Sequence, residues 1–355
     1  MFKITSFPKK IDIDRFSIHK NSKCLIIAEL SGNHGGKLKN VFKAIDEIKK
    51  SGADAIKIQS YEPDTITLNA KNKYFWIKDK SIWSGQYLYD LYKKAYTPFS
   101  WHKKIFSYAK KKKLLCFSSP FDKSSVDLLE SLNCPCYKIA SPEITDLELI
   151  DYVAKRKKPM IISTGIANQK DIDLAVNQCL KNKNNKLIIL HCISSYPAQE
   201  HELNLNYLNY LKKRFPVYGY SDHSIGEMAA LASLSMGSKV IEKHFKINDK
   251  IKSADKVFST DVKKFKKFIL KVRRLETILG NENPNKKKIL KNKLTTISRS
   301  IFYIKDLKKG DILRRNVIKS VRPGIGINPQ YLSKILGKKI KVNVKKNTPT
   351  RTNHF

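Results

Sequence analysis

Eight short apolar segments between Cys24 and Phe245 each run into a polar cluster at their C-terminal end. That repetition constrains the fold more than any other feature. The segments are 24–30, 55–59, 114–118, 136–139, 159–163, 187–191, 217–221 and 240–245. Most are too short and too uniformly apolar for amphipathic helices, so they read as buried strands. Between them lie stretches with helical periodicity, such as 38–51, 123–132 and 225–236. Strand and helix alternate eight times, as a (β/α)8 TIM barrel requires, and in that fold the active site sits where strands end. Standing there are Glu29, Lys57 with Gln59, Ser119, Lys138 with Ser141, Ser163, His191, Ser221 with His223, and His244.

A last barrel helix is expected over 261–279, stopping at Gly280, which places the barrel domain at 1–280. A polar, lysine-rich linker with Pro284 follows at 281–296. From 297 to 355 the chain reads as a small turn-rich β domain, with β-like runs at 300–304, 317–321 and 339–344. One insertion, 60–97, is far longer than a usual βα loop and carries Tyr61, Trp76, Trp83, Tyr87, Tyr92 and other aromatics. It is either a wall of the catalytic mouth or a satellite cluster capping the barrel.

The 355 residues carry a formal charge of +39. With 60 lysines against 10 arginines, scattered over nearly every expected helix, the charge describes a solvated surface that attracts anions rather than a base-reading face. No nucleic-acid partner is expected. No apolar run is long enough to cross a bilayer, and the first 16 residues lack a signal-peptide core, so no membrane association and a cytoplasmic location are expected. Four of the six cysteines fall in apolar strands, and Cys134 and Cys136 do not have zinc-site spacing. Disulfides and structural zinc are not expected.

His223 and His244 end adjacent strands, about 4.8 Å apart. Two imidazoles so placed can converge on one divalent ion, Mn²⁺ or Mg²⁺, the alternative being one general base and one structural histidine. Lys57 and Lys138, beside buried strands, must face something anionic. With Ser119, Ser141, Ser163 and Ser221 on the same rim they make a phosphate and carboxylate pocket; a Schiff-base lysine is the competing role. Glu29 and Glu143 either move protons and hold hydroxyls or pair with rim lysines.

At this point the residues resemble a known family, the sialic acid (nonulosonate) synthases, and within it the pseudaminic acid branch. The resemblance rests on Ala28-Glu29-Leu30-Ser31-Gly32-Asn33-His34, Tyr137-Lys138-Ile139-Ala140-Ser141-Pro142-Glu143, Ser163-Thr164-Gly165, Tyr220-Ser221-Asp222-His223 and Glu242-Lys243-His244-Phe245. The final segment is similar to that family's antifreeze-like (SAF) module through Lys309-Gly310 and Arg322-Pro323-Gly324. The branch rests on residues 61–68 and 82–92. The resemblance implies condensation of phosphoenolpyruvate with the open-chain aldehyde of an N-acetylated, 6-deoxy amino sugar, with C–O cleavage and phosphate release. It assigns Lys57, Ser119, Lys138, Ser141, Ser163 and Ser221 to phosphoenolpyruvate, and His223 with His244 to the metal. It gives the sugar to Glu29, Gln59, Tyr196 and Asp255, and proton transfer to Glu143. Arg322 would reach into a partner's site in a domain-swapped homodimer. The chain departs from the branch pattern at Ser253 and Ala254, where glycine and proline are expected, and at His191, where lysine is common.

Overall fold

The structure, a computed structural model, describes residues 2–79, 81–280 and 295–355. It divides into two compact units, Met1–Gly280 and Asn281–Phe355. The linker expected at 281–296 lies mostly outside the described residues.

The first unit is an eight-stranded parallel barrel. Its strands are β1 (Leu25–Glu29), β2 (Ala55–Ser60), β3 (Leu115–Pro120), β4 (Tyr137–Ile139), β5 (Met160–Ser163), β6 (Leu187–His191), β7 (Tyr218–Asp222) and β8 (Val240–Lys246). Each pairs with the next, and β8 closes the ring by pairing with both β7 and β1. Almost every strand residue is buried, because helices cover the outside and side chains fill the inside. The eight expected strands all form, with ends shifted by one or two residues.

The covering helices include α1 (Leu38–Ser51), α2 (Phe99–Lys111), α3 (Lys123–Ser131), α4 (Leu147–Ala154), α5 (Gln169–Lys181), α6 (Tyr207–Arg214), α7 (Met228–Ser235) and α8 (Val262–Leu279). Spacing explains them. In α1, Val41, Ala44, Ile45 and Ile48 form one buried stripe, and Gly52 stops the helix in the left-handed region at φ 85°. In α8 the buried face is Phe265, Phe268, Ile269 and Val272, and the Asp261 carboxylate caps the start by accepting from Lys264 N. Helix α7 begins three residues later than the sequence suggests. Ile225 is 67% exposed, and Gly226 at φ 91° turns the chain before the helix starts.

A feature not anticipated from the sequence lies before the barrel. Lys10–Ile13 and Phe16–His19 pair as an antiparallel hairpin, burying Ile11, Ile13 and Ile18. Phe2 and Phe7 pack on Phe215, just ahead of β7, and Asn185 Nδ2, just ahead of β6, donates to Ser6 O. The N-terminal segment therefore covers the end of the barrel opposite the catalytic rim.

In the second unit β9 (Ser300–Tyr303) pairs antiparallel with β10 (Ile318–Val321) over a core of Ile301, Tyr303, Leu313, Ile318 and Ile340. The third run expected there, 339–344, is not a strand. Its buried residues, Ile340 and Val344, are four apart with three exposed residues between them, and it makes only isolated bridges from Lys339 to Ile312 and from Val344 to Leu307. Among the described residues no helix is long and apolar enough to cross a membrane.

Candidate active site

The C-terminal ends of the barrel strands open into a cavity of about 390 Å³. Alternation along each strand decides what it presents. In β8, Glu242 and His244 line the cavity; in β2, Lys57 and Gln59 do; β7 contributes Ser221, followed by His223. Glu29, Lys138, Ser141, Glu143, Ser163, Tyr196 and Asp255 complete the polar lining. Strands β7 and β8 approach closely because position 219 is glycine: a Cβ there would overlap the Val240 carbonyl.

The cavity's charges are mutually arranged. Lys57 Nζ lies 2.9 Å from Glu29 Oε2 and 3.4 Å from Glu242 Oε1, and it reaches Ser119 Oγ at 3.3 Å. Burial works against its charge, but Glu242 and Glu29 outweigh that and hold its pKa above the ordinary value. Each such contact, at about 4 Å and an effective dielectric near 20, carries roughly 4 kcal/mol of Coulomb attraction before desolvation. Burial raises Glu29 against the pull of Lys57, with Glu242 adding repulsion, whereas Lys57 and Lys138 overcome the burial of Glu242 and keep it ionised. Lys138 differs. It donates to Ile139 O at 2.8 Å and has no carboxylate ion pair among the described residues, and burial lowers its pKa. Of the two lysines lining the cavity, it is the one not committed to a carboxylate among the described residues.

The hydroxyls form a second group. Ser141 Oγ accepts from Ile166 N and from Ser194 Oγ, both at 2.9 Å, so it is held between the loops after β5 and β6. Glu143 is raised to about 7, chiefly by burial and against the attraction of Lys138.

The imidazole rings of His223 and His244 lie with centroids 5.4 Å apart. His223 Nδ1 donates to Ile193 O at 2.7 Å, which fixes its proton there and leaves Nε2 as the acceptor. Burial depresses His223 to about 4 and His244 well below its ordinary value, so both rings are neutral. His244 Nδ1 and Glu242 Oε2 are buried without partners. Asp255 Oδ2 is 4.0 Å from His244 Nδ1, beyond hydrogen-bond reach, and the Asp255 carboxylate accepts from Ser31 and the Gly32 backbone. Among the described residues no three His, Cys, Asp or Glu side chains form a complete metal site. Two neutral imidazoles, one of them with its Nδ1 orphaned, and an orphaned carboxylate oxygen nonetheless fit a divalent ion that keeps open positions. Five carboxyl side chains, Glu29, Asp79, Glu143, Glu242 and Asp255, and two lysines line this cavity.

The aromatic insertion walls the cavity. Tyr61, Trp83, Leu88, Leu91 and Tyr92 line it, while Tyr74 stays 78% exposed. Trp83 Nε1 donates to Ala254 O at 3.0 Å, and its ring lies 5.3 Å from Tyr196. Ser253 Oγ donates to Asn33 Oδ1, so both unexpected residues before Asp255 have defined contacts. Ser119 stands behind Lys57, and His191 Nε2 donates to Leu203 O at 2.7 Å. Arg322, exposed just after β10, belongs to the other unit. Sequence reasoning gave no role to Glu242. Its position two residues before His244 was the available signal, since i and i+2 share a strand face.

The NeuB family profile matches residues 44–284, and a SAF domain profile matches 298–355. The chain belongs to the NeuB family. This NeuB chain is 41% identical over 331 residues to the pseudaminic acid synthase of Campylobacter jejuni, covering 93% of the chain and 96% of that protein. It is 34% identical to the N,N'-diacetyllegionaminic acid synthase of the same organism, covering 89% and 95%. The crystal structure of the N-acetylneuraminic acid synthetase of Leptospira borgpetersenii, in complex with citrate, matches with a TM-score of 0.70 at 31% identity, covering 78% of this chain and 91% of that one.

Proposed function

We propose that this NeuB protein condenses phosphoenolpyruvate, the open-chain aldehyde of a 6-deoxy, di-N-acetylated altrose and water into pseudaminic acid and phosphate. The observation that carries this is the convergence of Lys57, Lys138, His223 and His244 on one cavity at the rim of the barrel. The pseudaminic branch is supported by the higher identity to the pseudaminic acid synthase than to the diacetyllegionaminic acid synthase.

Carbon three of phosphoenolpyruvate bonds to the aldehyde carbon, water adds at carbon two, and the C–O bond to phosphate breaks. Lys138, with Ser141, Ser163 and Ser221, binds the phosphate and carboxylate. Lys57 and Ser119 complete that cradle, with Lys57 held by Glu29 and Glu242. A divalent ion, Mn²⁺ or Mg²⁺, held by His223 and His244 would polarise the aldehyde when bound. Glu143, poised near neutrality, takes a proton from the attacking water or returns one to the new alkoxide. Glu29, Gln59, Tyr196 and Asp255 orient the sugar, and the Tyr61–Trp83–Tyr92 wall favours a methyl over a hydroxymethyl group.

Residues 1–280 form the catalytic domain in this proposal, and 297–355 an accessory SAF domain after a 281–296 linker. Arg322 completes the cavity of a second copy in a domain-swapped homodimer, an arrangement drawn from the family resemblance.

The test is phosphate release from phosphoenolpyruvate with the 6-deoxy altrose derivative, with N-acetylmannosamine and with the legionaminic precursor, each with and without EDTA. Turnover confined to the first sugar and abolished by EDTA is expected. Preference for either other sugar contradicts the branch, and EDTA-insensitive turnover contradicts the metal.

A further inference from the structure

The barrel's outer face carries a buried ion pair at the same level as the two histidines. Lys243 and Asp222 are register partners on β8 and β7, each one residue away from a histidine. Because Glu242 and His244 line the cavity, alternation sends Lys243 to the opposite face. Lys243 Nζ donates to Asp222 Oδ2 at 2.6 Å, with both side chains at 1% exposure or less. The same ammonium donates to Ser224 O at 3.1 Å. Asp222 Oδ1 in turn accepts from Ser224 N at 2.9 Å and Ser224 Oγ at 2.6 Å. The residues on either side of His223 are thus tied to the residue before His244, and His223 O accepts from Ala198 N at 3.1 Å.

The geometry points to Lys243, Asp222 and Ser224 as positioning residues that fix the separation of the His223 and His244 rings for a divalent cation. This rests on the reading of those histidines as metal ligands. A buried ion pair is a poor source of net stability, since apolar residues of similar volume commonly replace it without loss. It is, however, a rigid one. With no group of its own in the active-site cavity, the Lys243–Asp222 pair acts on the site through the backbone of two strand ends and through its charges, Lys243 on His244 and Asp222 on His223. Partners that orient metal-binding histidines from behind change affinity by about 10- to 100-fold when removed.

The experiment uses the full chain with Mn²⁺ alone, its binding followed by electron paramagnetic resonance of the free ion, and phosphoenolpyruvate binding followed separately by calorimetry without metal. Wild type is expected to bind Mn²⁺, and His223→Ala to lose it. The double variant Asp222→Leu with Lys243→Met, folded by circular dichroism, is expected to bind Mn²⁺ about tenfold or more weakly while phosphoenolpyruvate affinity stays within twofold. Should that variant not fold, Ser224→Ala, which deletes one hydroxyl, decides the matter with an expected weakening of at least threefold. Wild-type Mn²⁺ affinity in the folded variant overturns the positioning role while leaving the histidine reading intact. Absence of Mn²⁺ binding to the wild type overturns both.

Discussion

Glu29 and Glu242, on the adjacent strands β1 and β8, share a single ammonium group, with Lys57 Nζ 2.9 Å from Glu29 Oε2 and 3.4 Å from Glu242 Oε1. The sharing separates the two cavity lysines into different jobs. Lys57 is consumed largely in holding two carboxylates together, whereas Lys138 lines the cavity without a carboxylate ion pair among the described residues.

That difference predicts opposite signatures on truncation. Lys57→Met leaves two buried carboxylates uncompensated and is expected to cost about 3–5 kcal/mol in urea denaturation. Lys138→Met removes a charge that burial already disfavours; it is expected to cost far less stability and to raise the KM for phosphoenolpyruvate at least tenfold. Equal stability losses would contradict the division.

Glu143 sets a pH dependence. Its folded pKa, near 7, lies above the ordinary 4.5, so the folded state holds the proton more tightly than the unfolded chain. The associated stability is fully present below about pH 4.5 and is lost as pH rises through about 7. Glu143→Gln should flatten that fall in a Tm-against-pH series, and should also remove the limb near pH 7 from the kcat profile.

The aromatic wall predicts selectivity. Trp83→Ala deletes the ring beside Tyr196 and the bond to Ala254 O, and is expected to raise the sugar KM about tenfold with phosphoenolpyruvate KM unchanged. Discrimination between the 6-deoxy sugar and its hydroxymethyl counterpart should shrink by about 1–3 kcal/mol in kcat/KM.

The N-terminal hairpin predicts the reverse pattern. Ile13, fully buried at the far end of the barrel, touches no cavity residue's chemistry. Ile13→Ala should cost about 2–5 kcal/mol of stability in urea denaturation while KM and kcat at permissive temperature stay at wild-type values.

The barrel was legible because its strands are buried on both faces and therefore read as continuous apolar runs, which turn signals bound sharply. Strand ends were less so. β2 extends to Ser60 because that hydroxyl is satisfied inside, bonded to His102 Nε2 at 2.7 Å and Ser118 Oγ at 2.6 Å, a compensation no local pattern displays. The hairpin was visible as alternation in Lys10-Ile11-Asp12-Ile13 and Phe16-Ser17-Ile18-His19, with Asp14 at φ 51° in the turn, but the segment is short and polar enough to pass for a tail. Glu242 was overlooked because, inside an apolar strand, a carboxylate gains meaning only from Lys57 on another strand. The 339–344 run failed because two buried residues four apart do not make a strand face.

The most direct test of the central claim uses phosphoenolpyruvate carrying a heavy oxygen isotope at the bridge between carbon two and phosphorus, supplied with the 6-deoxy, di-N-acetylated altrose and Mn²⁺. Mass spectrometry of the products should find the label in the released phosphate, in an amount equal to the pseudaminic acid formed and absent without the sugar. Label retained in the keto acid, or phosphate released at the same rate with no sugar present, would contradict a condensation by C–O cleavage at this cavity.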